Sequence, residues 1–228
     1  WVMGLAAALG IFGPWWVYGD NNPMTALGIT AGVWVMLASI AGPVGVVGQR
    51  RKLTRASAGM HLAHAGVGLF TIGATVVSSF GLEADRAIAP GEPVTAAGYT
   101  FDLQSLEDGE GPNYRYLRGI VTVSEDGVPI ATLQPEKRIY RRQESPMTEA
   151  GIDASLSRDV FVAMGDPLGD NKWSVRLQYK PLIRLIWIGC IVMALGGLLA
   201  MTDRRYRVAA KASEKEQKAG AAADPAAV

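Results

Sequence analysis

At 228 residues, 49% of them hydrophobic, with a mean hydropathy of +0.16 and a net charge of +1, the chain has room for one or two domains and no global field that would recruit nucleic acid. A single cysteine, Cys190, excludes an internal disulfide, and the lack of a Cys-x-x-Cys-His motif excludes a c-type cytochrome. Cys190 lies in an apolar block and reads as a small residue facing lipid or another helix. The chain begins at Trp1 rather than Met, so further sequence is expected upstream.

The hydrophobic residues are gathered in blocks. Four stretches, at 1–18, 24–47, 57–80 and 182–202, carry almost no charge and predict four transmembrane helices, the first of them short. Trp15 and Trp16, next to Tyr18, read as an interfacial aromatic anchor, while Trp1, Trp34 and Trp187 are scattered and ask for no special account. No stretch has the basic start, short apolar core and small-residue cleavage site of a signal peptide.

The loop between the second and third spans holds Arg50, Arg51, Lys52 and Arg55 and no acid. The tail holds Arg204, Arg205, Arg207, Lys211, Lys215 and Lys218. Both are therefore expected on the cytoplasmic side, with Gly19–Pro23 as an outer turn and residues 81–181 outside. Between Leu82 and Lys180 stand 11 Lys/Arg against 16 Asp/Glu, the balance expected of an outer segment. The tail 203–228 is rich in Ala, Lys and Glu and predicts disorder.

The outer segment alternates apolar and polar residues at Tyr99–Leu106 and Gly119–Ser124. Asp126-Gly127 follows as a hairpin signal, and strands are expected at Pro129–Leu133, Lys137–Tyr140, Val160–Met164 and Trp173–Tyr179. Short strands punctuated by Gly and Pro predict an all-β sandwich or open barrel. The runs Gly111–Arg115, Glu136–Arg142 and Met147–Asp153 look less like plain strand. The second is basic and reads either as a carboxylate-binding patch or as a charged edge strand protected from pairing.

The two histidines, His61 and His64, lie three apart in the third span, on one helical surface. From His64 a polar or small stripe runs through Gly68, Thr71, Thr75 and Ser78, and Ala58, Gly59, Ala63, Ala65 and Gly66 make the same stretch slim. An ionisable side chain within a span faces the bundle interior or a cavity and marks a functional site, and imidazole ligates haem and metals. The alternatives are a hydrogen bond to Ser or Thr on another helix, or a proton relay through both histidines. Two histidines on one turn cannot ligate one haem from opposite sides. No catalytic residue is expected here: there is no nucleophile–base pair, phosphate loop or thiolate metal site.

Several stretches, in this order, are similar to the CcmF family of cytochrome c-type biogenesis proteins, in its C-terminal part. They are Gly59-Met60-His61-Leu62-Ala63-His64-Ala65-Gly66, Gly111–Arg115, Glu136-Lys137-Arg138, Met147–Asp153, Val175–Pro181, Ala194–Leu199 and Asp203–Arg207. The resemblance covers roughly Gly59 to Arg207. It implies a component of a haem lyase in the bacterial inner membrane, with the β domain in the periplasm and the C-terminus in the cytoplasm. Such a protein receives haem from the haem chaperone CcmE and, with CcmH-type subunits, passes it to apocytochrome c. It also implies a b-type haem held between transmembrane histidines, with His64 as one axial ligand, while His61 falls where the family does not require histidine. The family's tryptophan-rich outer motif, its flanking histidines and the partner transmembrane histidine have no counterpart here and are expected upstream, so this chain alone is expected to catalyse nothing. The alternative is a membrane-anchored interaction subunit without a cofactor.

Overall fold

A computed structural model of the protein describes residues 1–48, 53–142 and 145–203. Arg50, Arg51 and Lys52, on which the expected sidedness rests, and the tail from Arg204 onward, with its expected disorder and the end of the Asp203–Arg207 stretch, lie outside the described residues. The chain forms two compact units, one of Trp1–Ile72 with the segment from Leu185 on, the other of Gly73–Arg184.

The first unit is helical, built from α1 (Val2–Tyr18), α2 (Pro23–Gly48), α3 (Arg55–Phe80, whose last turns belong to the second unit) and α4 (Arg184–Met201). Three of these, Pro23–Gly45, Arg55–Phe80 and Arg184–Met201, are long and apolar enough to cross a membrane, with mean hydropathies of 1.8, 1.4 and 2.0. α1 is shorter, at 17 residues.

Polar chemistry at the α1–α2 corner is local. Gly19 closes α1 in the left-handed region (φ 73°), its N–H donating to the Trp15 carbonyl at 3.0 Å. Asn22 caps α2, accepting from the Thr25 N–H at 2.9 Å, with Pro23 at the first helical position, where no N–H is needed. Pro14 cannot donate to the Gly10 carbonyl one turn back, and the Asn21 side-chain amide takes that place, donating to Gly10 O at 3.1 Å and Ile11 O at 2.8 Å.

The helices meet through small residues. A Cβ on Gly59 would lie 2.5 Å from Gly196 O and from Ala200 N, and one on Gly66 would lie 2.6 Å from Gly189 O and from Met193 N. α3 and α4 therefore run antiparallel with their backbones nearly touching. On another face of α3, a Cβ on Gly68 would lie 2.7 Å from Gly32 O of α2. The α3 start is capped twice: Thr54 Oγ1 accepts from Ser57 N–H at 3.2 Å, and the buried Asp203 carboxylate, just past α4, accepts from Ala56 N–H at 2.9 Å.

The second unit is a β-sandwich. One sheet has the order β1 (Leu82–Ile88), β10 (Lys172–Pro181), β9 (Arg158–Gly169), β8 (Gly151–Ala154). The other has the order β2 (Val94–Ala96), β3 (Tyr99–Glu110), β4 (Tyr114–Glu125), β6 (Glu136–Tyr140), β7 (Pro146–Glu149), with β5 (Val128–Leu133) also on β4. All pairings are antiparallel. Inward residues of both sheets, including Phe101, Leu103, Val121, Val123, Val160, Val162, Met164, Val175 and Leu177, form one core. The β4–β5 turn has Asp126 at φ 49° and Gly127 at φ 79°, the paired positive φ that a two-residue hairpin requires.

The basic run forms β6, an inner strand between β4 and β7, so it is not the edge strand that its charges suggested. The edge is β7, from the run Met147–Asp153 that did not read as strand. β6 keeps its charges because they are paired. Glu136 accepts from Arg118 Nε at 2.8 Å and Nη2 at 2.5 Å and from Arg138 Nε at 2.8 Å, and Lys137 pairs with Asp166. Arg118 and Arg138 also lie over the Tyr116 and Tyr114 rings, each 4.7 Å from the centroid.

Candidate haem-ligand site on the third helix

His61 and His64 both lie on α3 and line one cavity of about 360 Å³, with Met60 of α3 and Trp34, Val35, Ala38 and Ser39 of α2 around them. α2 comes close to α3 beside this open cavity. A Cβ on Gly42 would lie 2.5 Å from Cε1 and 3.0 Å from Nε2 of His61, so glycine makes the seat for that ring. His61 is half-buried and His64 is exposed.

The His64 ring is fixed by its own helix. Nδ1 is 2.8 Å from the Met60 carbonyl oxygen, one turn back. A carbonyl only accepts, so Nδ1 carries the proton, and in the neutral imidazole the lone pair is on Nε2. A metal-bound imidazole needs this arrangement: one nitrogen donates to a backbone carbonyl, which sets tautomer and ring orientation, and the other is a free donor to the metal.

Of the alternatives raised by spacing, the structure bears on the hydrogen bond across helices. His64 makes its hydrogen bond within α3, not to Ser or Thr of another helix. Ser39 Oγ donates to Val35 O of its own helix at 2.7 Å, and Thr71 Oγ1 likewise to Val67 O at 2.8 Å. Of the stripe that continues from His64, Gly68 is taken up by contact with α2, and Thr71, Thr75 and Ser78 do not line the cavity. Among the described residues no group of three His, Cys, Asp or Glu side chains is placed to hold a metal ion, so α3 offers single imidazole donors. Trp34, set aside as scattered, lies across the cavity; its place is set by the antiparallel register of α2 on α3, which the Gly32–Gly68 and Gly42–His61 contacts reveal.

In the β domain, Lys137 and Ile139 of the basic run line a separate cavity of about 630 Å³ with Arg115 and Tyr116, while the charges around Glu136 are taken up by one another. Burial pushes the Glu136 carboxyl up, and the hydrogen bonds from Arg138 and Arg118 more than offset this, holding it below the usual carboxylate range. The guanidiniums of Arg138 and Arg118 are held above their ordinary value chiefly by the hydrogen bond to Glu136. Those cations are already satisfied within the sheet.

Residues 79–181 match the family model described as the CcmF C-terminal beta-sandwich. The chain is 43% identical over 205 residues to the cytochrome c-type biogenesis protein CcmF of Pseudomonas aeruginosa, covering 87% of this chain and 31% of that protein. It is 36% identical over 194 residues to CcmF of Escherichia coli, covering 85% of this chain and 30% of that protein. The fold is that of a solved structure titled cytochrome c heme lyase CcmF, with a TM-score of 0.74, 17% identity, and coverage of 88% of this chain and 34% of that one. The chain thus spans about a third of the length of the curated relatives it matches. It belongs to the CcmF family of cytochrome c-type biogenesis proteins, and corresponds to the part of them that carries the C-terminal β-sandwich.

Proposed function

We propose that this chain is the haem-binding C-terminal portion of a cytochrome c maturation haem lyase, with His64 as one axial ligand of a b-type haem. The observation that carries this reading is the His64 ring: Nδ1–H is committed to the Met60 carbonyl at 2.8 Å, and Nε2 is left as a lone-pair donor on an exposed face of a membrane-length helix. Relatives titled as cytochrome c-type biogenesis proteins, and a solved fold titled a haem lyase, support the same assignment. Bound haem supplies reversible one-electron chemistry, with a potential set by its axial ligands and surroundings. The protein's part is to hold the neutral imidazole, orient it, and keep the site apolar with Trp34, Val35 and Ala38.

In this reading all four helices cross the bacterial inner membrane, with the β-sandwich in the periplasm and the C-terminus in the cytoplasm. His64 then lies about 12 Å into its span from the cytoplasmic side, at 1.5 Å per residue. The second axial ligand comes from upstream sequence or a companion subunit. The haem chaperone CcmE delivers haem, CcmH-type subunits assist, and apocytochrome c receives it. The test is a reduced-minus-oxidised absorption spectrum of the complete protein beside its His64→Ala version. A b-type signal that is lost or at least tenfold weaker in the variant is expected. An unchanged signal would remove His64 from the site, and no haem in either would leave a membrane-anchored interaction subunit.

A further inference from the structure

We infer that the β8–β9 loop, through Leu156, dips into the lipid headgroup boundary and seats the β-sandwich on the membrane that its helices enter. This rests on the reading that α3 and α4 cross the bilayer.

The end of the sandwich at which both helices attach is fixed by register. β1 starts at Leu82, two residues past the end of α3, and pairs there with Tyr179. β10 ends at Pro181, opposite Arg158, and α4 begins at Arg184. The loop Ser155–Ser157 lies at this same end, and the Leu182 N–H donates to the Ser157 carbonyl at 2.9 Å, two residues before the α4 span. Leu182 itself is in the left-handed region (φ 51°), so this hydrogen bond pins an unfavourable backbone conformation at the entry to α4. Arg184 Nε donates to the buried Asp159 carboxylate at 3.1 Å, a second tie between the loop's strand and the helix start.

The loop is closed at its base by a compact set of hydrogen bonds. Ser155 N–H donates to Arg158 O at 2.9 Å, Ser155 Oγ donates to that carbonyl at 2.7 Å, and Arg158 N–H donates to Ser155 Oγ at 3.1 Å. The neighbouring Arg158 and Asp153 pair with each other. These bonds close the loop at its base, and a headgroup boundary, which holds water, can serve the backbone groups that remain. What it leaves outside is one large apolar side chain, Leu156, 72% exposed, with Leu82, 55% exposed, at the same end. A lone exposed leucine is ordinary on a soluble surface. Here the next residue, Ser157, is hydrogen-bonded to Leu182, two residues before the helix that this reading takes through lipid.

The molecule contains its own control. Leu168 is 59% exposed at the other end of β9, twelve residues on, or about 40 Å at 3.3 Å per residue. A nitroxide label is placed at native Cys190, exposed on α4, and, in a Cys190→Ser background, at Leu156→Cys and at Leu168→Cys. Each labelled chain is reconstituted in phospholipid nanodiscs and its collisions with oxygen and with a water-soluble nickel chelate are compared. The Cys190 label should favour oxygen most strongly. The Leu156 label should favour oxygen at a shallower depth, and the Leu168 label should favour the chelate at least fivefold relative to Leu156. A Leu156 label as open to the chelate as Leu168, with Cys190 in lipid, would overturn the inference alone. A Cys190 label open to the chelate would overturn the spanning reading and this inference with it.

Discussion

The two units of this chain hold themselves together by opposite means. In the sandwich the buried side chains are large: Phe101, Leu103, Met164 and Leu177 are at most 2% exposed and fill the space between two sheets. In the helical unit the large side chains point outward, with Leu9, Phe12, Ile40, Trp187 and Leu198 all exposed, and the contacts are made by glycines brought backbone to backbone. Expulsion of water stabilises the first arrangement. It cannot stabilise the second in a medium as apolar as the side chains themselves, where close packing of small residues does the holding.

This contrast can be broken from either side. The largest effect is expected in the sandwich, where Phe101→Ala should cost about 4 kcal/mol of domain stability by losing a buried ring and leaving a cavity. The measurement is the midpoint of urea unfolding followed by near-ultraviolet circular dichroism. The same kind of truncation at Phe12, 65% exposed on α1, should do far less in lipid. In the helical unit the damaging change is enlargement. Gly66→Leu forces a Cβ to within 2.6 Å of α4 backbone atoms and should cost about 3 kcal/mol, read as an earlier transition in denaturing-detergent titration.

A smaller effect sharpens the picture within the sandwich. Glu136 has its folded pKa lowered, so its contribution is present above the unfolded carboxyl pKa of about 4.3 and is lost as pH falls through the folded value. Glu136→Gln should therefore lower stability by about 2 kcal/mol at neutral pH, leaving Arg118 and Arg138 short of a shared acceptor, and should flatten the acid limb of the stability–pH curve. An acid limb as steep as in the original protein would assign it to other carboxylates.

What could be read in the sequence follows the same division. Uncharged blocks long enough to span, the Asp126-Gly127 hairpin and the alternating runs of β3 and β4 each carry a local signal, and the structure has them. β1 escaped because Leu82–Ile88 is an edge strand dominated by Glu83, Asp85 and Arg86. Its partner strand, β10, carries Arg176, 91 residues on from Asp85, with its Nε 2.9 Å from Asp85 Oδ1. β7 and β8 escaped because four-residue strands hold too few positions to show alternation. The basic run was misjudged as an edge strand because the partners of its charges, the Arg138–Glu136 pair within the run apart, come from strands that only the fold brings together. At the candidate site, His64 was legible as a costly residue in an apolar helix, and its Met60 acceptor lies at the i−4 spacing of any helix. Trp34 and Gly42 were not, since which residues of α2 face His61 and His64 is set by the register of two packed helices.

The most direct measurement asks whether His64 Nε2 is a ligand or His64 merely shapes the cavity. The complete protein carrying His64→Gly is purified and its reduced-minus-oxidised spectrum recorded with and without added imidazole. Loss of the b-type signal in the variant and its return with imidazole, which restores the nitrogen without the side chain, is the predicted result. A b-type spectrum that persists in His64→Gly without imidazole would contradict the account.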